Sequence, residues 1–445
     1  MPRTSGSTGA ADPMSVAAIE KETTRRVTVR IVPFLMVCYF VAFVDRVNAG
    51  FAALQMNKDL GLSATQFGLG AGLFYLTYVL LEIPSNLALQ KVGARLWIAR
   101  IMITWGLVSG ATAFVAGPYS FYAVRLLLGA AEAGFFPGVI LYLTYWFPAE
   151  YRGRIVALFM VAVPISSFLG SPISAAILQA DNSLGVRGWQ WLFILEALPA
   201  ILLGVATWFV LPDGPSRAKW LSSEQREWLT HRLAFEQSSR THAVGHLPLK
   251  RLLSNKYVLA AALVYAGASG ASQCLSLWQP QILKSFGHSI TQTGLLNAIP
   301  FGLASIIMIW WGHHSDKNRE RVWHTAIPLA LIATSLAAGL LINSLAGTMI
   351  VLALAVIGTY AFKGPFWALS TEWLSAGAAA AGIAQINAIG NIGGFVGTYL
   401  LGVIKDATGS YPIALLPLAA LSAAGTGAVM ILGRGQRRGT QQPNP

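Results

Sequence analysis

Charge and cysteine are both scarce in this sequence. Asp, Glu, Lys and Arg make up 11% of the 445 residues, whereas a typical soluble domain carries about 25%. The two cysteines, Cys38 and Cys274, fall in apolar stretches, which predicts small buried side chains and no disulfide. The sequence also lacks a G-x-x-x-x-G-K-S/T phosphate loop, an H-E-x-x-H pair and a nucleophile elbow, so it predicts neither an ATP-driven pump nor an enzyme.

Long apolar runs are what the chain has instead. Hydrophobic residues make up 55%, and they come in runs of about 20, the length of a membrane-spanning helix. The net charge of +13 does not indicate a nucleic-acid partner, because the basic residues lie in short loops between these runs. The seven histidines lie in or beside predicted loops, without metal-ligand spacing, so no metal or other cofactor is predicted. The predicted spans are 29–53, 66–89, 97–116, 119–146, 154–179, 189–211, 257–284, 292–312, 323–343, 347–371, 379–403 and 412–432.

The distribution of basic residues predicts the orientation of these spans. Of the 31 Lys and Arg residues, 24 belong to the tails and one alternate set of loops, and four to the other set. This places both termini in the cytoplasm of a multi-pass protein of the inner membrane. We expect an all-α protein in five parts: a disordered tail (1–27), a six-helix bundle (28–211), a linker with an amphipathic helix (212–256), a second six-helix bundle (257–433) and a second tail (434–445).

Two spans carry charges that a lipid-facing helix would not tolerate. Asp45 and Arg46 lie in one, and Arg125 and Glu132 lie seven residues apart on one face of another. Each bare charge costs roughly 2.5–3.5 kcal/mol at the centre of an inserted helix. We therefore expect the two helices to face each other across a polar cavity, where arginines hold an anion and carboxylates carry protons. The alternative is a permanent ion pair, Asp45 with Arg125 or Arg46 with Glu132, that only joins helices.

Several stretches resemble the major facilitator superfamily, and within it the anion:cation symporter branch with its bacterial tartrate and aromatic-acid permeases. They are VDRVNAGFAAL (44–54), LEIPSNLALQKVGAR (81–95), RLLLGAAEAGFFPGVILYLTYWFP (125–148), GWQWLFILEALPA (188–200), LWQPQILK (277–284), GPFWALST (364–371) and INAIGNIGGFVGTYLLGVIKDATGS (386–410). The resemblance implies two six-helix halves that rock about a central site, driven by the proton gradient without a cofactor. It implies proton transfer by Asp45 and Glu132, and substrate contacts from Tyr78 and Asn391.

Further polar residues within the spans are candidates with open alternatives. Asn387 lies one turn before Asn391 on the same face and could also bind substrate. Glu82 is either a second proton site or a structural partner of loop arginines, and Glu196 is expected to bind a helix end. Lys363, which departs from the family pattern, either snorkels to the cytoplasm or adds a third cation to the cavity, which Trp367 could line.

We therefore expect a monomeric, proton-coupled importer of a small organic anion, such as a tartrate-like or aromatic acid. Its partners would be that anion, protons and the lipid bilayer. The span-5 stretch FLGSPISAAIL lacks the trailing glycine pair typical of drug antiporters, and Val163 and Pro164 stand where related sugar-acid transporters carry a polar residue. An exporter or exchanger of organic anions or drugs is the alternative within transport. A transporter-like sensor is the alternative from another class.

Overall fold

The computed structural model describes residues 13–241, 256–373 and 376–439, and nearly all of them are helical. Twelve helical segments in this part of the chain are long and apolar enough to cross a membrane. The expected all-α class with twelve transmembrane helices is confirmed. The helices are α1 (Pro13–Asp59), α2 (Ala64–Val92), α3 (Ala94–Ala111), α4 (Pro118–Glu132), α5 (Phe135–Thr144), α6 (Ala149–Ile177), α7 (Gly188–Val210), α8 (Ser223–Thr241), α9 (Lys256–Lys284), α10 (Ile290–Asn318), α11 (Val322–Ala338), α12 (Leu345–Ala361), α13 (Lys363–Trp373), α14 (Ala376–Thr408) and α15 (Tyr411–Gly439).

The helices form two bundles, α1–α7 and α9–α15, and three helix pairs join them. Helix α2 packs along α14, α6 along α10, and α1 along α9. Small residues permit the close approach at these crossings, because a Cβ at Gly50 would lie 2.7 Å from the Leu277 carbonyl oxygen and one at Gly68 would lie 2.6 Å from that of Thr398. Glycines of this kind are how membrane helices bring their backbones together.

The end of the two bundles opposite the chain termini, here called the opposite face, is tied together. It carries the loops 60–63, 115–117, 181–187, 285–289, 342–344 and 409–410. Asp406 of α14 accepts hydrogen bonds from the backbone N–H groups of Ala64 (3.1 Å) and Thr65 (2.7 Å), the first two residues of α2. Deeper in the interface, the Asn297 amide donates to the Ser171 hydroxyl at 2.8 Å. The bundles are therefore closed against each other on this side.

The N-terminal prediction was wrong in part. Residues 13–27 were expected to be a disordered tail, but α1 begins at Pro13. Glu22 forms ion pairs with Arg25 at 3.0 Å and Arg26 at 2.8 Å, at the three- and four-residue spacings that stabilise a helix. The Tyr151 hydroxyl also donates to Glu20 at 2.9 Å, which anchors the extension. Residues 1–12 lie outside the described part of the chain.

The predicted fourth and tenth spans, 119–146 and 347–371, are each two helices and not one. The first breaks between Glu132 and Phe135, where Gly134 adopts a left-handed φ of 85°, a conformation that favours glycine. The second breaks at Phe362. Pro137 and Pro365 lie in the first turns of α5 and α13, where a backbone N–H has no acceptor within its own helix, so both prolines fit the restarts.

In the linker, the expected amphipathic helix is found as α8, from Ser223 to Thr241. Its Glu236 accepts from the Arg152 guanidinium at 3.1 Å and from the backbone N–H of Ala149 at 3.0 Å. Residues 242–255 of the linker and 440–445 of the C-terminal tail lie outside the described residues. Helix α15 continues to Gly439, so the expected boundary of the second bundle at 433 falls within a helix.

Candidate functional site

Asp45, Arg46, Arg125 and Glu132 line one pocket between α1, α2, α3 and α4, together with Phe74, Tyr75, Trp105 and Leu128. The pocket holds about 10 Å³, which is roughly the space that one water molecule needs. The two charged helices do face each other, as the placement of their charges in the sequence predicts. A larger ligand does not fit this pocket in the conformation described.

Arg46 and Glu132 form an ion pair between α1 and the end of α4. Both Nε and Nη2 of Arg46 donate to Glu132 Oε1, the Nε bond at 2.7 Å. Glu132 is only 1% exposed. Of the two pairings considered from the sequence, this one is therefore present. In the described part of the chain, the other pairing, Asp45 with Arg125, does not form.

Arg125 is a buried cation without an anionic partner. Only 3% of it is exposed, and among the described residues it forms neither an ion pair nor a hydrogen bond, and its buried Nε has no partner. The charge of Glu132 is near enough to act on Arg125, but the Glu132 carboxylate is bonded to Arg46. The Arg125 guanidinium carbon lies 5.2 Å from the centre of the Phe74 ring, and that of Arg46 lies 5.6 Å from the same centre. Both guanidinium groups thus lie next to the same ring. Burying an unpaired charge costs several kcal/mol, so this arrangement is suited to an anion that comes from outside the protein.

Asp45 forms no ion pair with either arginine in the described structure. Its Oδ1 accepts from the Asn48 amide at 3.1 Å, while Oδ2 has no hydrogen-bond partner in the described structure. Asp45 is 3% exposed. It lies at the edge of the pocket, next to the acid–arginine pair but not part of it.

The second bundle contributes a polar group next to these charges. Arg46 stacks over the Tyr78 ring at 5.3 Å, and Glu82 lies one turn along α2. The Asn387 amide donates to Glu82 at 3.2 Å, and the Tyr265 hydroxyl donates to Asn387 at 3.5 Å. The structure thus brings Tyr78, Glu82 and Asn387 together at the bundle interface. The other alternative for Glu82 was an ion pair with a loop arginine, and no such pair forms in the described structure.

Asn391 and Trp367 also lie on the second-bundle side. Asn391 accepts from the Gln273 amide at 2.9 Å, and the Trp367 ring lies 5.0 Å from that of Tyr265. Tyr265 and Gln273 were not recognised from the sequence as candidate residues. A signal was available, since Tyr265, Ser269 and Gln273 recur every four residues in an apolar span and so form one polar stripe.

Lys363 is the first residue of α13. A cation at a helix N-terminus is disfavoured by the helix dipole, so helix stability does not explain this lysine. Its ammonium lies 4.3 Å from the centre of the Tyr360 ring, and it is close enough to Arg46 for the two charges to interact. This environment favours the third-cation alternative over snorkelling.

Glu196 was expected to bind a helix end, but in the described structure it does not. The hydroxyl of Ser174 donates to its Oε1 at 2.8 Å. Among the described residues, no group of three or more His, Cys, Asp and Glu side chains is arranged to hold a metal ion.

In the described residues, twelve segments long and apolar enough to span a membrane form two bundles, and charged side chains are buried around a pocket within the first of them; this arrangement is typical of a membrane transport protein. The model of the Major Facilitator Superfamily matches residues 35–398, and the chain belongs to this family of secondary transporters. It is not an enzyme. The expected family is confirmed.

Relatives and solved structures agree with this assignment. A protein of Agrobacterium vitis provisionally named a tartrate transporter is 51% identical, over 94% of this chain and 96% of its own. A quinolone resistance transporter of Acinetobacter baumannii is 40% identical, over 88% and 90%. The crystal structure of a bacterial homologue of the human lysosomal transporter Spinster superposes with a TM-score of 0.70 at 19% identity, covering 93% of this chain and 95% of that one, which shows the shared fold.

Proposed function

We propose that the protein is a proton-coupled importer of a small organic anion, in the inner membrane with both termini in the cytoplasm. The observation that carries this proposal is the buried Arg125, which has no anionic partner in the described structure and lies beside the Arg46–Glu132 pair. A guanidinium offers a planar pair of donors that matches a carboxylate. The similarity to a tartrate transporter supports a carboxylic acid as the substrate.

The Arg46–Glu132 pair supplies a means of coupling. A substrate carboxylate that enters between the arginines competes with Glu132 for Arg46. A buried carboxylate that loses its guanidinium partner binds a proton more readily. Anion and proton then enter together, and the departure of the anion restores the ion pair and expels the proton.

The polar group on the second bundle supports a substrate with more than one polar end. Asn387 contacts Glu82, and Asn391 lies one turn further along α14. The ammonium of Lys363 is close enough to Arg46 for their charges to interact. Each of the three could take a hydroxyl or a second carboxylate. A dicarboxylate would then bridge the two bundles as they close. Tartrate, which carries two carboxylates and two hydroxyls, is the probe that this geometry favours.

The test is uptake of labelled tartrate, phthalate and hydroxyphenylacetate into proteoliposomes, with and without an imposed proton gradient. We expect gradient-dependent uptake of at least one of them. In Arg125→Lys the charge remains but the two-pronged donor is lost, and a charged hydrogen bond contributes about 1.5–3 kcal/mol. Uptake at low substrate concentration should fall roughly 10–100-fold.

Arg100→Lys is the matched control. Arg100 also lies in a helix of the first bundle, but it stacks on Trp97 at 4.0 Å and does not line the pocket, so uptake should stay near the wild-type level. Normal uptake in Arg125→Lys would contradict the anion-binding role. Uptake of all three acids without any response to the gradient would contradict proton coupling.

Export of drugs or organic anions is the second candidate, favoured by the similarity to the quinolone resistance transporter. The same proteoliposomes separate the two functions. An exporter that exchanges its substrate for protons would drive a quinolone toward the acidic compartment, whereas the proposed symporter accumulates an organic anion in the alkaline one.

A further inference from the structure

A second polar cluster leads away from the anion pocket, between α1, α3, α6 and α7. Asn48 donates to Asp45 and also lies within reach of Glu196. Ser174 donates to Glu196 from the other side. A row of side chains therefore connects Asp45, at the edge of the pocket, with a carboxyl group on α7 that the proposed coupling does not use.

The cluster is buried and contains two carboxyl groups. Asp45 is 3% exposed and Glu196 is 6% exposed. Asp45 Oδ2, Glu196 Oε2 and Asn48 Oδ1 all lack a hydrogen-bond partner in the described structure, and an unsatisfied buried acceptor costs about 1–3 kcal/mol. Because Trp105 and Ser109 lie close enough to donate to Asp45, what the cluster lacks is a positive charge.

No cation of the protein answers this need within the described residues. Asp45 and Glu196 form no ion pair with Lys, Arg or His there. On the pocket side, the charge of Glu132 acts on Asp45, and Arg46 and Arg125 line the same pocket without an ion pair to Asp45 in the described structure. From α3 the neighbours of Asp45 are Trp105 and Ser109, and from α6 the neighbour of Glu196 is Ser174; none of these carries a charge.

A proton supplies the missing positive charge. A protonated carboxyl group gains one O–H, which can donate to Asn48 Oδ1 or to the other carboxyl group. It also removes one of two like charges that would otherwise repel in a medium of low dielectric constant. Both effects favour one proton held between the two acids.

We propose that Glu196 and Asp45 together form a proton-binding site that begins at the edge of the anion pocket and extends away from it to α7, with Asn48 as the bridge between them. The proposal rests on the proposed proton coupling and adds to it a named second carrier. One proton is then exchanged at Glu132 in response to the substrate. Another is held by the Asp45–Glu196 pair, so that more than one proton crosses with each anion.

The test is the steady-state accumulation of tartrate in proteoliposomes under a pH difference of one unit, with the membrane potential clamped at zero. In Glu196→Gln, which keeps the shape of the side chain but cannot titrate, one coupled proton is lost. The accumulation ratio should then fall about tenfold, while exchange of external for internal tartrate at equal pH continues. Glu224→Gln, at the exposed start of α8, is the control and should match the wild type.

Ser174→Ala gives an independent reading if Glu196→Gln does not insert into the membrane. This variant removes the donor that stabilises the ionised form of Glu196. The carboxyl group should then hold its proton to a higher pH, so the pH profile of uptake should move to the alkaline side with the tartrate KM unchanged.

The outcomes separate the two proposals. Gradient-driven uptake in the wild type, with unaltered accumulation in Glu196→Gln and an unaltered pH profile in Ser174→Ala, would overturn the second proton site and leave the symporter intact. Wild-type uptake that ignores the gradient would overturn both. Uptake that requires sodium, with Glu196→Gln losing the sodium response, would assign these oxygens to a metal cation and overturn the proton site.

Discussion

The hydrogen bonds between Asp406 and α2 are a contact that only one conformation can make. They join the two bundles at the opposite face, so they must break when that face opens. In Asp406→Ala both bonds to the N-terminus of α2 are lost. In Asp406→Asn one amide oxygen can still accept, but the charge that favours a helix N-terminus is gone.

The size of the effect follows from the nature of the contact. A side chain that caps a helix N-terminus contributes about 0.5–2 kcal/mol, and Asp406 is exposed, which favours the lower part of this range. Loss of about 1 kcal/mol from the closed state changes the ratio of closed to open molecules about fivefold. Asp406→Asn should give a smaller shift in the same direction.

Spin labels at Leu184→Cys and Leu341→Cys measure this ratio as a distance distribution. The two positions are 90% and 87% exposed and lie on the opposite face, one in each bundle, while the native Cys38 and Cys274 are buried. Asp181→Ala is the control, because Asp181 accepts from Gly188 at 2.9 Å and so caps a helix within one bundle. An unchanged distribution in Asp406→Ala, or an equal change in Asp181→Ala, would refute the reasoning.

Two further predictions address the pocket and the α10–α11 loop. Glu132→Gln should lose gradient-dependent uptake because an amide cannot carry the proton, yet tartrate KM should fall because Arg46 no longer has an anionic competitor; an unchanged response to the gradient would contradict this. Burial raises the pKa of Glu320, but hydrogen bonds from the N–H groups of Trp323 and His324 outweigh it, so the pKa lies below the usual value. The stability that Glu320 adds is thus present above pH 4.5 and is lost as the pH falls. Glu320→Gln should lower the free energy of unfolding, measured by thermal unfolding in detergent, by about 0.5–1 kcal/mol at pH 7. The loss should become smaller as the pH falls, and an equal loss at every pH would exclude the ionised form as the cause.

The sequence was sufficient for the fold and for the charged centre, because membrane insertion leaves few arrangements open. Apolar runs of about 20 residues must be helices, and charges within them must face inward. The sequence therefore predicts that four charged side chains face one pocket: Asp45, Arg46, Arg125 and Glu132. The choice between the two possible ion pairs was not available, because it depends on side-chain directions that differ by fractions of a helical turn.

Three details needed the structure. The charge-bearing extension at 13–27 looked polar enough for a free tail, but ion pairs along α1 and the contact with Tyr151 hold it in a helix. The breaks after Glu132 and at Phe362 were not predicted, because both spans are evenly hydrophobic. The nearby Pro137 and Pro365 do not indicate a break by themselves. The Glu196 environment arises from four helices that are distant in sequence, and no local pattern could report it.

The two interrupted spans have a mechanical consequence. A continuous helix tilts as one rigid body, whereas an interrupted helix can tilt on one side of the break alone. The breaks after Glu132 and at Phe362 lie in matching spans of the two bundles, each next to a charged residue. If the proposed substrate binds at these charges, the short segments α5 and α13 can tilt while α4 and α12 stay in place.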